Sequence, residues 1–93
     1  MEFAQVNADG TLANSSGGVT SSKIGAGTYE VDFGHTISAC AYVVTQGEAG
    51  IGGAGGAITG VTDRAGNTQA TFTTTRNDAG ELADRAFQEI VVC

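Results

Sequence analysis

Gly25-Ala26-Gly27-Thr28-Tyr29-Glu30-Val31-Asp32-Phe33 is the stretch that decides the fold. Tyr29, Val31 and Phe33 alternate with Thr28, Glu30 and Asp32. A period of two sends one set toward an apolar interior and the other toward water, the signature of a half-buried antiparallel strand. Gly25-Ala26-Gly27 turns the chain back on Val19 to Ile24, which completes a β-hairpin. No stretch carries a sustained helical period, and glycine-rich turns interrupt the chain every ten residues or so, the spacing of an all-β domain.

Upstream of the hairpin, Phe3 to Val6 reads as a short strand that ends at Asn7-Ala8-Asp9-Gly10, where Asp-Gly tolerates positive φ and favours a turn. A polar loop is expected through Asn14-Ser15-Ser16-Gly17-Gly18. Downstream, Gly34-His35 leads into Thr36 to Thr45, apolar or small on both faces and therefore expected inside a sheet. Gln46 to Gly56 is glycine-rich and reads as a loop. It lacks the Gly-Lys-Ser and the strand-to-helix context of a phosphate cradle. Three strands finish the chain: Ala57 to Thr62, Thr68 to Arg76 with Phe72 as its anchor, and Asp84 to Cys93. The turns Asp63-Arg64-Ala65-Gly66-Asn67 and Asn77-Asp78-Ala79-Gly80 separate them. The expectation is one domain over residues 1–93, an antiparallel β-sandwich or small barrel of six or seven strands. There is no internal repeat, and the absence of proline has no physical account.

Composition narrows the partners. Ten acids against four bases give a net charge of −6. Lys23, Arg64, Arg76 and Arg85 are scattered, whereas phosphate binding needs clustered cations, so neither nucleic acid nor an anionic membrane surface is an expected partner. No apolar run approaches the ~20 residues of a membrane span. Met1-Glu2-Phe3 has neither the basic nor the long apolar region of a signal peptide. The chain reads either as cytosolic or as an excised domain of a longer secreted chain. The cysteines favour the second, an extracellular or surface location.

Those cysteines, Cys40 within Thr36-Ile37-Ser38-Ala39-Cys40-Ala41-Tyr42-Val43-Val44 and Cys93 after Phe87-Gln88-Glu89-Ile90-Val91-Val92, both read as belonging to buried strands. Two cysteines and one histidine are too few for a structural zinc site, and their spacing is not Cys-x-x-Cys. The residues favour a structural disulfide, with two buried free thiols or a reactive Cys40 paired with His35 as the alternatives. His35 could pair on paper with Ser38 and Asp32, but no nucleophile elbow or oxyanion hole accompanies them. Glu30 and Asp32 share a strand face about 7 Å apart and read as a polar outer face as readily as a carboxylate pair. Asp63 with Asn67, or Asn77 with Asp78, could line a ligand or calcium loop, though turns need the same residue types. Asp84 and Arg85 read as an ion pair or as solvent-facing ends of the last strand. Asn14-Ser15-Ser16 matches a glycosylation acceptor, a pattern that also arises by chance. No catalytic residue and no cofactor is expected.

Several segments together resemble a known kind of domain. Ser38-Ala39-Cys40-Ala41-Tyr42, Ala83-Asp84-Arg85-Ala86-Phe87 and Val91-Val92-Cys93 are similar to a small β-domain of bacterial, often actinobacterial, secreted proteins and of phage-tail-like proteins. So are the hairpin Gly18-Val19-Thr20-Ser21-Ser22 to Gly27-Thr28-Tyr29-Glu30-Val31 and the opening Val6-Asn7-Ala8-Asp9-Gly10-Thr11-Leu12-Ala13. Where that family often has proline after Asp-Arg, this chain has Ala86. The resemblance implies a paired Cys40–Cys93 and a non-catalytic module that assembles, with trimers favoured. A homo-oligomer should leave apolar residues on an outer strand face, and Ile24, Ile51 and Leu82 are candidates. The alternative is a carbohydrate- or ligand-binding sandwich with a surface glycan or protein partner. It would have to work without Trp and with Tyr29 and Tyr42 committed to strands.

Overall fold

The computed structural model describes residues 1–51 and 57–93. They form eight strands and no helix: β1 (Glu2–Val6), β2 (Leu12–Ser15), β3 (Thr20–Gly25), β4 (Thr28–Asp32), β5 (Ala41–Gln46), β6 (Ile58–Arg64), β7 (Asn67–Arg76) and β8 (Phe87–Val92). Two four-stranded antiparallel sheets result, sheet I in the order β2-β1-β8-β5 and sheet II in the order β3-β4-β7-β6. They pack as a small β-sandwich.

The alternation that identified β4 holds. Tyr29, Val31 and Phe33 are buried, and with Ala4, Val6, Val19, Ile37, Phe87 and Val91 they make the core. Tyr29 meets Phe87 edge to face, with ring centroids 4.9 Å apart, an arrangement that adds to simple area burial. Its hydroxyl reaches out of the core and donates to Ala8 O at 2.7 Å, so no polar atom of this large side chain is stranded.

Several expectations need correction. There are eight strands, because the expected loop from Asn14 to Gly18 begins inside one: Leu12–Ser15 is β2, and only Ser16 to Gly18 turn. Leu12 packs against the core, and Asn14 sits opposite Gln5 and donates to its side chain at 3.0 Å. Thr36 to Thr45 is not a central strand. Residues 36–40 bend, and β5 forms the edge of sheet I. Ala41-Tyr42-Val43-Val44 is apolar on both faces because its inner face touches the core while Ala41 and Val43 lie exposed. The interior positions of sheet I belong to β1 and β8, and β8 lies between β1 and β5. Phe72 is not a core anchor either. The inward residues of β7 are Thr71, Thr73 and Thr75, and Phe72 lies half-buried on the outer face, where Arg64 stacks 5.6 Å from its ring centroid. Of the glycine-rich loop, residues 52–56 lie outside the described residues, and 47–51 form no strand.

Cys40 and Cys93 are disulfide-bonded, but not in the core: Cys40 is half-buried and Cys93 exposed. β5 and β8 pair Ala41 with Val92, and the bridged residues are the next rung of that ladder, with Cα atoms 4.3 Å apart. Directly opposed residues of a non-hydrogen-bonded antiparallel pair lie about that far apart. The staple therefore fastens an edge strand to an interior one.

Gly27 shows how closely the β3–β4 turn seats against the rest. Its φ is +62°, and an added Cβ would lie 2.5 Å from Thr75 O and 2.7 Å from Ala83 N. Its own N–H donates to Asp84 Oδ1 and its carbonyl accepts from Thr75 N, both at 2.8 Å. Gly27→Ala should therefore lower unfolding stability by about 2 kcal/mol or more in a urea titration; an unchanged midpoint would contradict this packing. The disulfide closes a loop spanning 53 positions, worth about 4 kcal/mol in the chain-entropy model. Its reduction, or Cys40→Ser with Cys93→Ser, should lower Tm by more than about 10 °C. Because Cys93 is exposed, reductant should act without denaturant.

Candidate functional site

The outer face of sheet I is the surface the fold leaves most unusual. In β8, Phe87, Glu89 and Val91 point inward, so Gln88, Ile90 and Val92 point out. In β1 the inward set Ala4 and Val6 leaves Phe3 and Gln5 outside, and in β5 Ala41, Val43 and Thr45 are outside. Register aligns them: Ile90 stands opposite Phe3 on one side and Val43 on the other, while Gln88 stands between Gln5 and Thr45. Phe3, Ile90, Val43 and Val92 are 43, 39, 57 and 44% exposed, high values for large apolar side chains grouped on one face. No outward position of β1, β5 or β8 carries a charged side chain, although the chain holds ten acids and four bases. The outer face of sheet II differs: Glu30, Asp32, Arg64 and Arg76 stand on it.

Ile24 and Leu82, at 46 and 43%, and Ile51, fully exposed, are outside, but only Ile24 lies in a named strand and none belongs to this row. The sequence reading missed Phe3, Ile90 and Val43 because each lies in a strand whose other face is core. Only the register of three strands shows that they line up.

The sequence-derived loop residues are scattered. Asp63 and Asn67 flank the β6–β7 turn, and Asn77 and Asp78 follow β7. That ten-residue strand separates the two turns by about 30 Å. Asp63 Oδ1 accepts from the Tyr42 hydroxyl at 2.6 Å. Burial, with this carboxylate beside it, pushes the Tyr42 pKa up to about 12. Asn67 donates to Glu30 Oε2 and Asp32 Oδ2 and accepts from Gln69 N. It thus draws the Glu30–Asp32 pair into a local network, which Arg64 Nε approaches to 3.4 Å from Glu30. The side-chain oxygen of Asn77 accepts from Ala79 N and Glu81 N, as turn asparagines do. Asp78 is exposed.

The other candidates are equally dispersed. His35 bonds Glu2 and approaches Thr36 O, which raises its pKa chiefly through the Glu2 carboxylate. Ser38 is exposed, and Asp32 accepts from Gly34 N, so those three do not assemble. Asp84 pairs with Lys23 at 2.5 Å, not with Arg85. Among the described residues no cavity opens, and no three His, Cys, Asp or Glu side chains converge as metal ligands. Compared with protein-family models, with curated proteins and with solved structures, the chain matches none.

One buried group escaped the sequence reading. Glu89 is fully buried on the inner face of β8, where its carboxyl bridges the sheets and accepts from Thr73 Oγ1 at 2.8 Å and from Thr71 Oγ1. The third inward threonine, Thr75, donates to Ala83 O at 2.7 Å. The signal was present in the sequence: Glu89 shares parity with Phe87 and Val91. Burial raises the Glu89 pKa, against the two hydroxyl donors that lower it.

The folded state thus holds the Glu89 proton more tightly than the unfolded chain does. This contribution to stability is present in full below about pH 4.5 and is lost as pH rises through the folded-state value. In Glu89→Gln the neutral amide can still bond both threonines. Its Tm should match or exceed that of the native chain at pH 7, and the gap between them should close as pH falls toward 4. Parallel melting profiles would show that Glu89 does not titrate on folding.

Proposed function

We propose that the chain is a non-enzymatic structural or assembly module of a secreted or fibre-like bacterial or phage protein. In this reading it is a domain of a longer chain on the cell or virion surface, and it works by binding copies of itself, with trimers favoured. The observation that carries this is the apolar, uncharged outer face of sheet I. Large exposed apolar side chains grouped on one face mark an interaction surface. Oligomerisation also supplements the core of a domain this small.

The resemblance of the cysteine segments and the Asp84-Arg85 segment to secreted and phage-tail-like domains supports the same reading. The disulfide is compatible with an extracellular setting. Among the described residues no helix is long and apolar enough to cross a membrane. The carbohydrate- or ligand-binding alternative has less behind it, since Asp63, Asn67 and Asn77 already direct their polar atoms to neighbours within the chain.

Light scattering of the oxidised chain across a dilution series tests the proposal. The expected result is a mass that climbs with concentration toward a multiple of the 9.3 kDa protomer. A protomer mass up to about 1 mM, where even a weak interface of about −4 kcal/mol is half filled, would contradict it.

A further inference from the structure

The charge map and the register together say more than that this face associates. The molecule measures 33 × 27 × 19 Å, and a two-layer sandwich presents its sheets on the broad sides. Such a side has the area that a standard interface takes from each partner, about 800 Å². A chain of net charge −6 repels its own copies wherever acids face acids. The outward positions of β1, β8 and β5 are a place where two copies can meet without placing any charged side chain between them. Among the described residues, the outward side chains of β1, β5 and β8 offer no charge and no cleft to a foreign partner, whereas they suit another copy of the same face.

The row is also asymmetric in a useful way. Ile90 is its centre, the large Phe3 is one strand away on one side, and the smaller Val43 is one strand away on the other. An axis parallel to β8 carries the Phe3 side of one copy onto the Val43 side of the next, large against small, and gathers the Ile90 side chains at the axis. This holds for a two-fold axis and for a three-fold axis alike. An axis across the strands would set Phe3 on Phe3 and Val43 on Val43, a poorer fit for close packing.

We propose that the outer face of sheet I binds further copies of this chain about an axis parallel to β8, with Phe3 of each copy seated against Val43 of the next. This rests on the assembly reading above and specifies its surface and geometry.

Charge-swap variants of the whole chain test it by sedimentation equilibrium. Phe3→Lys alone and Val43→Glu alone should each weaken association by at least about tenfold, because each places a single charge in an uncharged contact. The double variant sets ammonium against carboxylate at every contact. It should associate at least about threefold more tightly than either single variant. Leu82→Lys, on an exposed apolar residue outside the face, should change nothing. A double variant weaker than both singles would overturn the axis. Insensitivity of an assembling chain to Phe3→Lys and Val43→Glu would overturn the surface while leaving the assembly reading intact. A native chain that stays monomeric would remove both. Since a variant can fail for lack of folding, methyl resonances of Ile90 and Val43 are followed in the native chain on dilution. They should shift while those of Ile24 and Leu82 stay fixed, and the reverse would also overturn the surface.

Discussion

Strand β8 is hydrogen-bonded on both edges, to β1 through Glu2–Val6 and to β5 through Ala41–Gln46, and this double pairing fixes which of its side chains face which way. Sliding the strand by one residue would send Phe87, Glu89 and Val91 to solvent and bury Gln88, Ile90 and Val92. The Tyr29–Phe87 contact, the Glu89 bridge to Thr71 and Thr73, and the row Phe3–Ile90–Val43 all follow from this one register. The Cys40–Cys93 bond extends the same ladder by one covalent rung and makes a slip of β5 against β8 impossible while it is intact. The disulfide thus defines register as well as restricting the unfolded chain.

The interior divides into two kinds of contact. Around Tyr29, Val31, Phe33, Ile37, Phe87 and Val91 it is apolar and closely packed. Where β7 faces β8 it is polar, with three buried threonines and a buried glutamate, each hydroxyl donating to a named acceptor. A buried carboxyl with two hydroxyl donors is tolerated because its oxygens are bonded and because it can take up a proton. With no large side chain from β7, this seam is joined by the hydroxyl bonds of Thr71 and Thr73 to Glu89. Phe72, displaced to the outside, serves Arg64 instead.

Much of this was legible in the residues. The alternation of β4, the turns at Asp9-Gly10 and at Asn77 to Gly80, the all-β class and the pairing of the cysteines were accessible from local pattern and resemblance. What failed depended on relations between distant strands. Ala41 to Val44 is as apolar as an interior strand, and only the sheet order shows that it is an edge whose outer residues remain exposed. Leu12 to Ser15 is too short and polar to announce a strand, yet its pairing with Ala4 and Gln5 makes it one. Glu89 could have been found from its parity with Phe87 and Val91. Phe3, Ile90 and Val43 could not, since they lie far apart in the chain and meet only through the pairing of three strands. The pairing of Cys40 with Cys93 as opposed residues would have given the β5–β8 register, and with it half of that row.

In the proposed assembly, copies of the chain meet on this row, Phe3 of one against Val43 of the next. The most direct measurement is isotope-filtered nuclear Overhauser spectroscopy on a mixture of labelled and unlabelled native chains. Within one chain Phe3 and Val43 stand two strands apart, about 9–10 Å, so close contact between them has to come from different copies. Intermolecular cross-peaks between the Phe3 ring and the Val43 methyls, with Ile90 to Ile90 contacts beside them, are the predicted result. Cross-peaks confined to Phe3 on Phe3, or to residues of sheet II, would contradict the account.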